Sequence, residues 1–128
     1  MVLDTSALAS IVFREPGYER LVDAMAGASA LSIGAPTLVE TGIVLSARMA
    51  ADARGLLSRL LMEAEIEVVA FTEAHFGVAV GAWRRFGRGR HEAALNLGDC
   101  MSYATARLAE RPLLCVGDDF EKTDIVLA

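Results

Sequence analysis

The feature that most constrains the fold of this chain is a regular alternation of very short apolar runs with longer amphipathic ones. Val2-Leu3, Ala30-Leu31-Ser32-Ile33, Glu65 to Phe71 and Pro112 to Val116 are the short runs. Each has the length and apolar or β-branched character of a buried strand. Between them, apolar residues recur at helical spacing: Ala7, Leu8, Ile11 and Val12; Leu21, Val22 and Met25; Leu38, Val39, Ile43, Val44 and Ala47; Met101, Ala104 and Leu108. Strands alternating with helices predict an α/β sandwich built on a mainly parallel sheet of four or five strands, with right-handed crossovers.

The punctuation agrees. Asp4-Thr5-Ser6 suits a helix start, and Pro16 is placed to open a second helix near Tyr18. Ala35-Pro36-Thr37 begins a long helix to about Met49. Another covers about Asp52 to Ala64, and Thr72-Glu73 caps one reaching about Phe86. Gly87 to Gly98 is polar and rich in Gly and Arg, so a loop is expected there, with helix from Asp99 to Leu108. Asp124 to Val126 offers a short fifth strand. A chain of 128 residues without linker or repeat suits one domain spanning residues 1–128.

Hydrophobic residues make up 54% of the chain, yet Glu, Ser or Thr interrupts every apolar run before it reaches the length of a membrane span. The excess is assigned to the core and to a surface buried against another chain. No basic segment or long apolar stretch precedes Asp4, so no signal peptide is read, no membrane association is expected and a cytoplasmic location is. Cys100 and Cys115 lie in no CxxC or Cys/His spacing, which fits reduced thiols and sets zinc aside. The net charge of −5 argues against a simple basic groove for nucleic acid, unless some acids serve a metal. Positive charge is concentrated: Arg84, Arg85, Arg88 and Arg90 supply four of the twelve basic side chains within seven residues.

In parallel α/β sheets, ligands bind beyond the carboxyl ends of the strands. Asp4 follows the first strand there, and Asp118 and Asp119 follow the fourth. Glu40 shares a helix face with Ile43 and Val44, where a carboxylate is costly unless paired, cation-bound or at the edge of that face. Asp99 follows Gly98 at a helix start. In isolation, Asp4 and Asp99 read as helix caps and Gly117-Asp118-Asp119 as a turn. Together these acids can face one crevice, where their repulsion calls for a divalent cation. Oxygen-only ligands favour Mg²⁺ or Mn²⁺, ions that polarise a phosphoryl oxygen and activate water.

At these residues the chain resembles the PIN-domain ribonucleases, in particular VapC-like toxins of type II toxin–antitoxin pairs. Val2-Leu3-Asp4-Thr5-Ser6-Ala7-Leu8 is similar to the first PIN motif, and Glu40 in Leu38-Val39-Glu40-Thr41 to the second acidic motif. Gly87-Arg88-Gly89-Arg90-His91 through Leu95-Asn96-Leu97-Gly98-Asp99-Cys100 resembles a stretch of one VapC subgroup. Leu113 to Phe120, with Thr123-Asp124-Ile125, resembles that subgroup's ending. The likeness covers essentially the whole chain.

The resemblance implies a three-layer PIN-like α/β/α sandwich and an endoribonuclease that hydrolyses RNA with Mg²⁺ held by Asp4, Glu40 and Asp99. Asp119 is favoured as a fourth acid over Asp118, with Asp124 a further candidate. It also implies a cognate VapB-like antitoxin and a homodimer. Asp4 and Asp99 would bind the metal directly, and Glu40 through water or by orienting the attacking water. Thr5 or Ser6 would hydrogen-bond a carboxylate or a phosphate, and Asn96 would support Asp99 or contact substrate. Arg84, Arg85, Arg88 and Arg90 would hold RNA phosphates, although a basic helix end is itself favourable. Trp83 is expected in the core or at a subunit interface ahead of a base-stacking role, and His91 as a polar loop residue.

Two other enzyme or signalling classes fit less well. An aspartyl-phosphate phosphatase wants a second Asp where Ser6 stands. A receiver-type domain wants a lysine near the last strands, and the single lysine, Lys122, is poorly placed. A PIN fold kept only as a non-catalytic interaction module is the alternative function.

Overall fold

The computed structural model describes residues 1–128. In chain order the elements are β1 (Val2–Leu3), α1 (Thr5–Val12), α2 (Tyr18–Ala26), β2 (Leu31–Gly34), α3 (Ala35–Met49), α4 (Arg54–Glu63), β3 (Ile66–Val69), α5 (Glu73–Phe86), α6 (Leu97–Ala109) and β4 (Leu113–Leu114). A 3₁₀ turn, Phe120–Lys122, follows. The four strands form one wholly parallel sheet in the order β3-β2-β1-β4. One helical layer groups α1, α2, α3 and α4, and α5 packs with α6, which lies over β1, β2 and β4. This is the expected α/β/α sandwich.

Strand alternation sends neighbouring side chains to opposite faces, and the core divides accordingly. Val2 and Leu113 pack with Phe86, Leu95, Tyr103 and Phe120. Leu3 and Leu114 pack on the other face with Leu8, Leu31, Ile33 and Ile66. Each fully buried Leu or Ile contributes about 1.5–3 kcal/mol, so two-residue strands suffice when both residues are completely covered. Gly34 ends β2 hard against α6: a Cβ there would lie 2.6 Å from the Thr105 Oγ1.

Two expectations are revised. Asp124 to Val126 forms no strand. The tail instead makes a single parallel bridge, Leu113 to Leu127, because Asp124 is drawn aside by the Tyr103 hydroxyl, which donates to its Oδ1 at 2.6 Å. Helix α6 starts at Leu97 rather than Asp99. Asn96 is its N-cap, its Oδ1 accepting from the Asp99 N–H while the Asp99 Oδ2 accepts from the Asn96 N–H, both at 2.9 Å. This reciprocal capping box settles the helix one turn-fraction earlier than the acid alone suggests.

The strand order determines where chemistry can sit. From β1 the chain moves outward through β2 to β3, then returns to place β4 on the other side of β1. The reversal point lies between β1 and β4, and the crevice beyond their carboxyl ends is where such sheets bind ligands.

Candidate active site

Asp4 leaves β1 at that reversal point. Its N–H still donates to the Leu114 carbonyl at 3.0 Å, which fixes its backbone, and only 6% of the residue is exposed. Both oxygens of the buried carboxylate accept hydrogen bonds and retain acceptor capacity. The Ser6 N–H donates to Oδ2 at 2.9 Å, the Ser6 hydroxyl to the same oxygen at 2.6 Å, and the Ser102 hydroxyl to Oδ1 at 2.6 Å. Asp4 therefore does cap α1, and the same bonds aim it at the crevice. Ser6 Oγ also accepts from the Val116 N–H at 3.0 Å, tying the exit of β4 to the exit of β1. Its hydroxyl is thus committed to holding Asp4 and β4 in place.

A second line of hydroxyls runs behind Asp4. Ser102 Oγ lies 3.2 Å from Thr37 Oγ1, and both residues are 1% exposed. The Thr41 hydroxyl donates to the Thr37 carbonyl at 2.7 Å and lies 3.0 Å from the Thr5 hydroxyl. These contacts lock the first turns of α1 and α3 to α6. Thr5, buried and bonded to Thr41, is thereby an interior fastener.

Glu40 lies one turn beyond Thr37 on α3, and its carboxylate rests on the backbone of Gly98, where any Cβ would overlap it. Burial pushes its pKa up, and the charges of Asp4 and then Asp99 push it further. Asp99 is also raised, first by burial and then by Asp4 and Asp119. The Asn96 N–H and, more weakly, the Arg88 guanidinium oppose the rise. Asp4, Glu40, Asp99 and Asp119 therefore share one electrostatic field although they come from four separate segments. The Cys115 thiol sits in the same field: burial and the neighbouring acids push its pKa up to about 12, so it carries no nucleophile at neutral pH. Cys100, at about 11 for the same reasons, is equally inert.

The fourth-acid candidates separate. Only Asp119 acts on Asp99. Asp118 is exposed and faces Lys122 at 3.5 Å. Asp124 lies elsewhere, between Arg85 at 3.2 Å and Arg107 at 3.6 Å. The arginine cluster divides too. Arg85 is spent on Asp124, Arg90 lies over the Trp83 ring at 4.2 Å from its centroid, Arg84 is exposed, and Arg88 faces the acids. Trp83 is 43% exposed, which removes it from the core. His91 uses Nδ1 to accept from the Ala93 N–H at 3.1 Å, a local turn role. Ser102, Thr37 and Gly98 were not singled out in the sequence. Ser102 left a signal, since it lies one helical turn after Asp99 and hence on its face.

The sequence matches the PIN domain family over residues 1–126. The chain belongs to that family. It is 47% identical over 126 residues to Ribonuclease VapC36 of Mycobacterium tuberculosis, spanning 98% of this chain and 91% of that protein. Its fold matches the crystal structure of M. tuberculosis VapC20, a Sarcin-Ricin loop cleaving toxin, with TM-score 0.76 over 99% of this chain and 97% of that one, at 18% identity. A toxin–antitoxin complex from Klebsiella pneumoniae matches with TM-score 0.72 over 99% and 95% of the two chains, also at 18% identity.

In this PIN domain the acids stand apart: no three His, Cys, Asp or Glu side chains close on a common point able to hold a metal ion as they stand. The donor chemistry nevertheless fits a hard cation. All four candidates are carboxylates, and Glu40 and Asp99 are raised by burial and by mutual repulsion. Those are the terms that a divalent ion reverses.

Proposed function

We propose that this PIN domain is a VapC-like toxin, an endoribonuclease that hydrolyses RNA phosphodiester bonds with Mg²⁺, or Mn²⁺ in its place. The observation that carries the reading is the shared field of Asp4, Glu40, Asp99 and Asp119 at the β1/β4 reversal point. Asp4, Glu40 and Asp99 are the residues to hold the ion, with Asp119 as the fourth acid. The bound ion supplies Lewis acidity for a phosphoryl oxygen and an attacking water. Asp4 enters with its orientation already set by Ser6 and Ser102. Glu40, with no hydrogen bond of its own and a raised pKa, is suited to orient that water and take its proton. Asn96 keeps Asp99 in place, and Arg88 is the cation placed to meet substrate phosphate.

The partner in this reading is a VapB-like antitoxin, with the toxin acting in the cytoplasm as a homodimer. An apolar groove of about 820 Å³ between α3 and α4, lined by Leu38, Val39, Ile43 and Leu57, suits an antitoxin segment that also directs a basic side chain at the acids. No helix of the chain is long and apolar enough to cross a membrane.

The deciding experiment incubates the purified chain, free of antitoxin, with total bacterial RNA in Mg²⁺ and in EDTA. Discrete products are expected in Mg²⁺ alone, with Asp4→Asn and Asp99→Asn each at least about 100-fold slower, as loss of a direct ligand exceeds the loss for its supports. Absence of cleavage by folded, Mg²⁺-loaded protein across tRNA, rRNA and mRNA would instead support an interaction module.

A further inference from the structure

Three of the four acids in the crevice have a holder close by. Asp4 is bound by Ser6 and Ser102, Asp99 by the Asn96 N–H, and Glu40 rests on Gly98. Asp119 has none. It is exposed, it opens the 3₁₀ turn, and its carboxylate caps nothing there. Its place is therefore set by the backbone of the segment from Cys115 to Asp124.

That segment is held unevenly. Upstream, the Val116 N–H is fastened to Ser6 Oγ at 3.0 Å. The next residue, Gly117, has a φ of 98° and open space where a Cβ would stand, a joint that constrains the chain little. Downstream the hold is firm. Phe120 is 4% exposed and belongs to the same core cluster as Tyr103 and Ile125. The Thr123 hydroxyl donates to the Phe120 carbonyl at 2.7 Å and accepts from the Ile125 N–H at 3.2 Å, so it bridges from the turn to the far side of Asp124. Asp124 is gripped on both oxygens. The Tyr103 hydroxyl donates to Oδ1 at 2.6 Å, and Arg85 and Arg107 stand 3.2 Å and 3.6 Å from Oδ2. A hydroxyl bond this short to a carboxylate is among the strong ones. Tyr103 belongs to α6, the helix that also carries Asp99 and Ser102.

We propose that the clasp between Tyr103 and Asp124 is the positioning device for Asp119. It ties the segment bearing the fourth acid to the helix bearing Asp99 and so fixes the separation of the two carboxylates. The proposal rests on the metal-dependent ribonuclease reading and adds to it the residues that complete the site. Tyr103 and Asp124 touch neither ion nor RNA; they act through Asp119. In agreement, Asp119 and not Asp124 is among the acids that act on Asp99, while Asp124 is held down first by the Tyr103 hydroxyl.

Tyr103→Phe keeps the ring in the core and removes only the donor, and Asp124→Asn reads the same clasp from its exposed end. Calorimetry on the full chain measures Mn²⁺ affinity, which each variant is expected to lower about tenfold or more, as for other outer supports of metal ligands. Amide exchange without metal is expected to quicken from Asp119 to Thr123 and to stay unchanged in α6. In an Asp119→Asn background, Tyr103→Phe is expected to add no further loss, since a positioning residue has no effect once its target is gone. Cleavage of total RNA by Tyr103→Phe is expected to fall at low Mg²⁺ and to recover as Mg²⁺ is raised. Wild-type Mn²⁺ affinity in Tyr103→Phe overturns the proposal, and so do losses that add in the double variant. Faster exchange throughout α6 overturns it in favour of a general packing role. Loss of binding in Asp124→Asn with none in Tyr103→Phe overturns it by making Asp124 a ligand. Wild-type protein that cuts RNA while Tyr103→Phe matches it defeats the clasp alone. Wild-type protein that binds Mn²⁺ and never cuts RNA defeats the ribonuclease reading, and the affinities still decide the clasp; wild-type protein that binds no Mn²⁺ defeats both.

Discussion

Ser102 shows how much of the site rests on residues that touch no substrate. Its hydroxyl donates to Asp4 Oδ1 at 2.6 Å from a position 1% exposed. Ser102→Ala leaves a buried carboxylate oxygen without a donor, which costs about 1–3 kcal/mol of stability. Because Asp4 also loses its aim, the Mg²⁺ concentration needed for half-maximal cleavage should rise roughly 10–100-fold, as for other outer supports of metal ligands. A Mg²⁺ titration of cleavage, read beside a melting curve, checks this: an unchanged requirement would leave Ser102 a packing residue only. At this scale the sequence was legible wherever a residue type was out of place. Asp4 and Asp119 at strand ends and Glu40 on an apolar face drew notice because carboxylates are expensive there. A serine among small buried residues is not expensive, so residue type alone does not mark Ser102. Asp124 looked equivalent to Asp118 and Asp119 because its partners, Arg85 and Tyr103, lie 39 and 21 residues away in the chain.

The N-terminus of α6 is the element on which the acids converge. Its capping box holds Asp99, and its second residue, Gly98, provides the bare surface on which the Glu40 carboxylate rests. Gly98→Ala is therefore expected to separate stability from function. Alanine favours a helix over glycine by up to about 1 kcal/mol, so the thermal midpoint should hold or rise once Glu40 swings away. Cleavage should fall by at least about tenfold. Parallel melting and cleavage assays test the pair, and wild-type activity in a well-folded variant would show that the Glu40 contact with Gly98 is dispensable. The boundaries of α3 were readable from Pro36 and its long apolar face. Those of α6 were not, because an Asn-Leu-Gly-Asp box looks like loop until the reciprocal bonds between Asn96 and Asp99 are seen. The tail misled for a related reason: Ile125 and Val126 have strand character, but the bonds to Asp124 hold the backbone where only Leu127 can bridge Leu113.

Across the whole molecule, the β3-β2-β1-β4 order followed from the alternating pattern only as far as a parallel sheet; which strand neighbours which depends on long-range pairing. That order gathers carboxylates whose repulsion the fold must carry. Glu40 and Asp99 are raised from their ordinary values, first by burial and then by the neighbouring acids. Between their ordinary and raised values the folded chain holds more protons than the unfolded chain. Stability contributed by these two groups therefore falls as pH rises through that window. A divalent ion should restore it. Mg²⁺ at about 100 times its dissociation constant adds about 2.7 kcal/mol if it binds only the folded state. Its effect on the melting temperature should be clear at neutral pH and fade in mild acid, as protons replace it. A melting temperature indifferent to Mg²⁺ at neutral pH would count against the metal site.

The fastening of Val116 to Ser6 has a temporal consequence. The two residues are separated by 110 positions, and β1, which contributes Asp4, pairs with β4 only after most of the intervening chain has been laid down. Closing so long a loop is slow relative to local helix formation. A partly folded chain can contain every helix and still lack the crevice, since Asp4 and Asp119 have not yet met. On the proposed ribonuclease reading, the crevice can cut RNA only once this long-range contact has closed, so a chain with its helices formed and β1 not yet joined to β4 is harmless.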